Sequence, residues 1–185
     1  MDLQNSALIV IDLQAGIKTI AGKAYPISFD EVLENNRQLI EVFAESNARI
    51  YLVTVQPKAL PAPARRAFGK LLLHETSERY PQVHQLIKFG PSAFSESDYG
   101  LEKELKELGI EKVFITGVST SNGVLKTAQD AKAAGLEVAI IEGATADKSQ
   151  EKYKEALEND ILKIGSLVKV SDFLSMKEDE KNDEM

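Results

Sequence analysis

The sequence predicts an α/β protein, in which a doubly wound, mostly parallel six-stranded sheet lies between two helical layers as a three-layer α/β/α sandwich. Three observations predict this architecture. Short apolar runs alternate with helical patterns along the chain. The first run, ALIVI at residues 7–11, is continuous, which is typical of a parallel strand buried on both faces. The length of 185 residues, without an internal repeat, favours a single domain over residues 1–175.

Each element follows from its local pattern. Apolar runs predict strands at residues 7–11, 49–55, 84–89, 112–116, 136–141 and 166–170. Periodic apolar positions predict helices at residues 30–46, 99–108, 122–134 and 149–159. Ser28 or Asp30 can cap the first helix, and Gly109 and Gly135 are suited to end the second and third. The charged segment MKEDEKNDEM at 176–185 lacks an apolar face, which predicts a disordered tail.

Composition argues against several classes of function. The net charge of −7 and the lack of any basic cluster larger than Arg65-Arg66 argue against nucleic-acid binding. No apolar run approaches the roughly 18–20 residues of a membrane span, and the N-terminus does not read as a signal peptide. The absence of cysteine excludes thiol chemistry and fits a cytoplasmic protein. His74 and His84 have no partners at metal-ligand spacing, so we expect neither a metal nor a cofactor.

Polar residues stand at the predicted carboxyl ends of several strands. Asp12 follows the first strand, Gln56 the second, Lys88 lies at the third, and a turn over residues 117–123 follows the fourth. Ligands of doubly wound sheets collect at this edge, so we expect these groups to converge. Two interpretations of Asp12 remain open. It caps a turn, or it is a general acid or base whose pKa is raised by burial and lowered by Lys88.

Three segments in order resemble one known family. The turn GVSTSNGVLKTA at 117–128 resembles the nucleophile turn G-x-x-T-x-x-C-V-x-x-T-A of the isochorismatase-like (cysteine hydrolase) superfamily. Two further motifs of that superfamily have counterparts here, in the run ALIVIDLQ at 7–14 and in Lys88 followed by SAF at 92–94. The resemblance extends over residues 7–145. It implies that Asp12, Lys88 and Gly123 occupy the three catalytic positions, with Gly123 in place of the cysteine.

The resemblance implies a chemistry that depends on the third position. Members with cysteine form an acyl-enzyme from amides. Isochorismatases have glycine there and hydrolyse a vinyl ether: the aspartic acid protonates the enol carbon, water captures the oxocarbenium ion, and pyruvate leaves. The segment TVQPK at 54–58 is similar to their T-A-Q-P segment, and Arg65 falls where they bind substrate. The expected reaction is therefore cofactor-free hydrolysis of a small anionic substrate such as isochorismate.

By the same resemblance, Gln56, Arg65, Phe94, Ser119 and Thr120 are candidates for substrate binding, and the chain is expected to form a homodimer or a larger homo-oligomer. Isochorismatases usually have G-V-Y-A-H in the turn, whereas this chain has Ser119, Thr120 and Ser121 there. Two alternatives remain. One is a non-catalytic protein of the same fold that binds a small acid or a partner protein. The other is an amidase with a serine nucleophile, which lacks a histidine placed to activate it.

Overall fold

The computed structural model describes residues 3–95, 97 and 99–183, with the side chains described as far as Met176. The strands are β1 Ser6–Ile11, β2 Arg49–Val55, β3 Val83–Lys88, β4 Lys112–Val118, β5 Glu137–Ala146 and β6 Ser166–Lys169. The helices are α1 Ala15–Ala21, α2 Phe29–Glu45, α3 Ala62–Phe68, α4 His74–Arg79, α5 Leu101–Glu107, α6 Leu125–Ala133, α7 Gln150–Glu155, α8 Leu162–Ile164 and α9 Val170–Asp183. A π-helical turn, Thr120–Val124, leads into α6, and a second, Ala156–Ile161, links α7 to α8.

The six strands form one sheet in the order β3-β2-β1-β4-β5-β6, and every pair is parallel. Strand β1 lies in the middle and is buried along its whole length. Its Leu8 and Val10 pack into a core on the side of α2 and α9, whereas Ile9 and Ile11 pack into a core with α5, α6 and α7. The predicted three-layer α/β/α sandwich is therefore confirmed.

The structure shows which of the two candidate residues caps α2. The Ser28 hydroxyl accepts a hydrogen bond from the Glu31 backbone N–H, and the Glu31 carboxylate accepts one from the Ser28 N–H at 2.8 Å. This reciprocal capping box satisfies two backbone donors at the helix start. Ser28, rather than Asp30, is therefore the cap.

Several boundaries differ from the predictions. Strands β4 and β5 continue to Val118 and Ala146, beyond the predicted ends at residues 116 and 141. The helix predicted from residue 122 begins as the π-helical turn at Thr120, and the helix predicted over 149–159 divides into α7 and the second π-helical turn. Helices α1, α3, α4 and α9 were not predicted. Helices α1 and α3 have seven residues each and no fully buried side chain, so only a weak apolar periodicity signals them.

The last helix, α9, runs through Asp183 and thus through most of the tail predicted to be disordered. Its first turns pack on the core through Phe173, which is stacked against Phe43. The lysine- and glutamate-rich remainder has the composition of a helix former, which accounts for its continuation. Residues 184 and 185 lie outside the described residues. Within the part of the chain that the structure describes, no helix is long and apolar enough to cross a membrane.

The carboxyl ends of β1 and β4 approach each other closely at Gly117. This residue has φ 101°, and a Cβ atom there would lie 2.0 Å from the carbonyl oxygen of Ile11. Only glycine fits this close backbone contact. The peptide bond that follows β4, Val118–Ser119, is cis. The turn after β4 lies beside Asp12.

Candidate active site

The structure brings Asp12 and Lys88 together at the carboxyl edge of the sheet. The Nζ atom of Lys88 lies 2.9 Å from Oδ2 of Asp12, and the side chains are 1% and 9% exposed respectively. Lys88 Nζ also donates a hydrogen bond to the carbonyl of Pro91. Both charges are therefore withdrawn from water and held in one geometry, and their burial is acceptable because each has a partner.

The backbone around Asp12 fixes its position. Asp12 has φ 57°, a left-handed conformation that aspartate tolerates better than most residues, and its N–H donates to Val53 O at 2.8 Å. Two residues later, the buried Gln14 amide bonds to both backbone groups of Val55 and to the carbonyl of Phe68. The turn after β1 is therefore tied to the end of β2 and to α3.

The electrostatic environment of Asp12 suits a proton donor. Burial raises its pKa to about 6, although the charge and hydrogen bond of Lys88 pull the pKa in the opposite direction. One carboxylate oxygen faces Lys88, while no described residue donates a hydrogen bond to the buried Oδ1. A buried oxygen without a partner is costly, so it marks a place where a proton or a ligand group belongs. Asp12 therefore keeps its proton to a higher pH than an ordinary aspartate does, and part of the population still carries it near neutral pH.

Gly123 lies against this ion pair. A Cβ atom at Gly123 would lie 3.3 Å from both Asp12 Oδ2 and Lys88 Nζ, and 2.9 Å from Cγ2 of Ile11. A side chain at this position would therefore point at the two charged groups. Because the residue is glycine, the space beside the ion pair is left open.

Gly123→Ala is expected to lower the free energy of unfolding by about 1–3 kcal/mol, because the new methyl group is forced against the stiff, buried side chain of Ile11. Urea unfolding of wild type and variant measures the effect. The double variant Ile11→Ala/Gly123→Ala is the control, since removing Cγ2 relieves the contact. We expect the double variant to lose less stability than the sum of the two single losses. Simple additivity would contradict this account.

A pocket of about 340 Å³ opens over Asp12 and Gly123. Its wall combines apolar side chains with a few polar groups. The apolar lining residues are Ile17, Ile20, Ala21, Ala24, Phe29, Val118 and Ala146, and the others are Asp12, Ser119, Asn122, Gly123, Asp147 and Lys148. A mostly apolar pocket with convergent polar groups is typical of a site for a small organic molecule.

The five predicted substrate-binding residues are not brought together. Ser119 lines the pocket, whereas Gln56 and Phe94 line two separate surface depressions. Thr120 is fully buried, and its hydroxyl shares a hydrogen bond with that of Thr145 at 2.8 Å. Arg65 lies in α3 and is not among the described residues that line the pocket. Phe29 is the aromatic side chain among the described residues that line the pocket.

Sequence reasoning missed Asp147 and Lys148, which follow the extended strand β5. The buried Asp147 carboxylate accepts hydrogen bonds from the backbone N–H of Ser121 at 2.6 Å and of Lys148 at 2.8 Å. The N–H groups of Asn122 and Val124 donate to Ser119 O. The backbone donors at Ser121, Asn122 and Val124 are thus already used. These three N–H groups are therefore not free to bind an anionic oxygen of a ligand.

The described residues form no cluster of potential metal ligands. No group of three or more histidine, aspartate, glutamate or cysteine side chains among them could hold a metal ion. His84 contacts the Arg49 guanidinium at 2.8 Å, and His74 pairs with Glu78 on the surface. Neither histidine lines the pocket.

Comparison with known proteins places the chain in a family. Residues 6–171 match the model of the isochorismatase domain. An uncharacterized isochorismatase family protein, YecD, from Escherichia coli O157:H7 is 29% identical, with 95% of this chain and 97% of that protein covered. An isochorismatase family protein from Burkholderia thailandensis has a similar structure, with a TM-score of 0.79, 23% identity, and coverage of 93% and 96%.

A pyrazinamidase/nicotinamidase from Streptococcus mutans also has a similar structure, with a TM-score of 0.73 and 22% identity over 88% of this chain and 99% of that one. At this level of identity, the similarity is one of fold. The match to the domain model extends from β1 to the start of α9 and includes Asp12, Lys88 and Gly123. The chain therefore belongs to the isochorismatase-like hydrolase family.

Proposed function

We propose that this protein hydrolyses a small anionic vinyl ether without a cysteine nucleophile, with Asp12 as the general acid. The observation that carries the proposal is the state of the Asp12 carboxyl group. It is buried, has a pKa of about 6, is held by Lys88 at one oxygen, and lacks a described partner at the other. A carboxyl group with a raised pKa can deliver a proton near neutral pH.

The absence of a nucleophile in this position favours the same chemistry. The chain contains no cysteine, and Gly123 leaves open the space beside Asp12 and Lys88. Amide hydrolysis through an acyl-enzyme needs a nucleophile and a base to activate it. Ser119 lines the pocket, but neither histidine does. Protonation of an electron-rich carbon followed by addition of water needs no protein nucleophile.

The proposed reaction proceeds in three steps. Asp12 transfers its proton to the terminal methylene carbon of the enol ether, and the ether oxygen donates electrons to form an oxocarbenium ion. Water adds to the cationic carbon and returns a proton to the Asp12 carboxylate. The resulting hemiketal breaks its carbon–oxygen bond to release pyruvate and an alcohol. Lys88 keeps its positive charge beside Asp12, which stabilises the carboxylate formed in the first step.

The direct test is whether the purified protein releases pyruvate from isochorismate in the presence of a chelator. Pyruvate is monitored through the coupled oxidation of NADH. Release of pyruvate above the uncatalysed rate is the expected result. If neither pyruvate nor a substrate-dependent rise in Tm is detected, isochorismate is not the substrate. A rise in Tm without pyruvate would instead favour a non-catalytic protein that binds a small acid.

The homodimer or larger homo-oligomer remains a prediction, and light scattering of the purified protein would measure it.

A further inference from the structure

The pocket contains little positive charge for an anionic substrate. Among the described residues that line it, the ionisable ones are Asp12, Asp147 and Lys148. The ammonium group of Lys88 lies behind Gly123, but it already pairs with Asp12 and donates to the carbonyl of Pro91. A substrate carboxylate therefore needs a cation at another position, because a buried anion without a partner is strongly unfavourable.

The turn after β4 is a poor place for that carboxylate. The N–H group of Ser121 points at Asp147, whose carboxylate accepts from it at 2.6 Å. Asp147 is 3% exposed, and its carboxylate already occupies the position beside the turn where an anion can accept this hydrogen bond. A second anion at this point would compete for the same donor and would be repelled by Asp147. The anionic group of a ligand is thus directed away from the turn.

Lys148 is the remaining cation of the pocket wall. The backbone N–H of Lys148 donates a hydrogen bond to the Asp147 carboxylate, which fixes the backbone at this position. The residue itself is exposed. In the part of the chain that the structure describes, no carboxylate lies within 4.0 Å of its ammonium group. Lys148 can therefore reorient toward a ligand without breaking an existing ion pair.

We propose that Lys148 recognises a carboxylate on the ring of the substrate, remote from the vinyl ether, at the mouth of the pocket, in the role that the sequence suggested for Arg65. The apolar body of the ligand then lies against Ile17, Ile20 and Phe29, between Lys148 and Asp12. Ile20 is 70% exposed, so a ligand that covers it gains apolar contact. This inference rests on the proposed function for its substrate class, but it concerns binding and does not require turnover.

The experiment uses benzoate, a ring with one carboxylate, and its neutral analogue benzamide, with binding measured by isothermal titration calorimetry. Lys148→Gln is expected to weaken benzoate binding about tenfold, because a charge-assisted contact is replaced by a neutral one. It should leave benzamide binding unchanged. Lys148→Arg should retain benzoate binding. Lys152→Gln removes a charge from the exposed side of α7, outside the pocket lining, and serves as the matched control.

Added salt provides a second readout. Benzoate binding to wild type should weaken as the NaCl concentration rises, whereas binding to Lys148→Gln should change little. Equal affinities of wild type and Lys148→Gln for benzoate would overturn the inference, as would no binding by wild type at millimolar benzoate. Loss of binding in Arg65→Gln alone would restore the assignment made from sequence. Lys148-dependent binding without pyruvate release would contradict the proposed function and leave the inference standing.

Discussion

Asp12→Asn is expected to lower the rate of pyruvate release by about 100-fold to 10,000-fold, since the amide cannot supply the proton that the proposed reaction requires. The substitution keeps the size of the side chain, so substrate binding should persist. The rate and the substrate-dependent rise in Tm are measured on the same preparation. Asp160→Asn, which changes an exposed carboxylate in the second π-helical turn, is the matched control and should retain full activity.

The pH dependence provides an independent check on the same group. In the proposed reaction Asp12 acts in its protonated form, and a pKa of about 6 means that roughly a tenth of the molecules carry the proton at pH 7. We therefore expect kcat/KM to be constant well below pH 6 and to fall about tenfold per pH unit above it. Activity that rises through pH 6, or an active Asp12→Asn variant, would contradict the role of Asp12 as the acid.

Lys88→Met is expected to lower the free energy of unfolding by about 3–5 kcal/mol at pH 8, because it leaves Asp12 buried without its counter-ion. The loss should be smaller at pH 5. Lys88 pulls the pKa of Asp12 down, so its removal raises that pKa above about 6. The folded state then binds the proton more tightly than the unfolded state, and stability falls as pH rises between the two pKa values.

Urea unfolding of Lys88→Met at several pH values between 5 and 8 measures this trend. The double variant Asp12→Asn/Lys88→Met has no carboxyl group to titrate at this position, so the added pH dependence should disappear. Lys18→Met breaks the exposed pair with Asp30 and should cost well under about 1 kcal/mol at any pH in this range. A loss in Lys88→Met that is independent of pH would show that Asp12 does not titrate in the folded protein.

The elements predicted most accurately are among the most buried ones. β1 and β2 are continuous apolar runs because both faces of the central sheet are covered, and their predicted positions agree with the structure to within one residue. Helix α2 has a long buried face that produces a regular period. Helices α1 and α3 are short and have no fully buried side chain, so their sequences show only a weak period. Tertiary contacts, including close packing of Gly16 against Phe68, hold them in place.

The candidate site was likewise predicted only in part. Asp12 and Lys88 were expected to meet because each stands at the end of a parallel strand, and the structure brings them within 2.9 Å. Asp147 and Lys148 were missed because β5 was predicted to stop at residue 141, before Glu142 and Gly143. The strand in fact continues to Ala146, through an irregularity in its register with β4. Local composition does not encode that continuation, which depends on pairing with a distant strand.

The position of the Ile11 side chain beside Gly123 has an evolutionary consequence. One base change converts some glycine codons into cysteine codons, so a thiol beside Asp12 and Lys88 is genetically close. The methyl group of Ile11, 2.9 Å from where the new Cβ would stand, makes that single change harmful to folding. A chain that first lost this methyl group could accept the cysteine far more easily. The order of two mutations therefore governs whether this scaffold can move toward thiol chemistry.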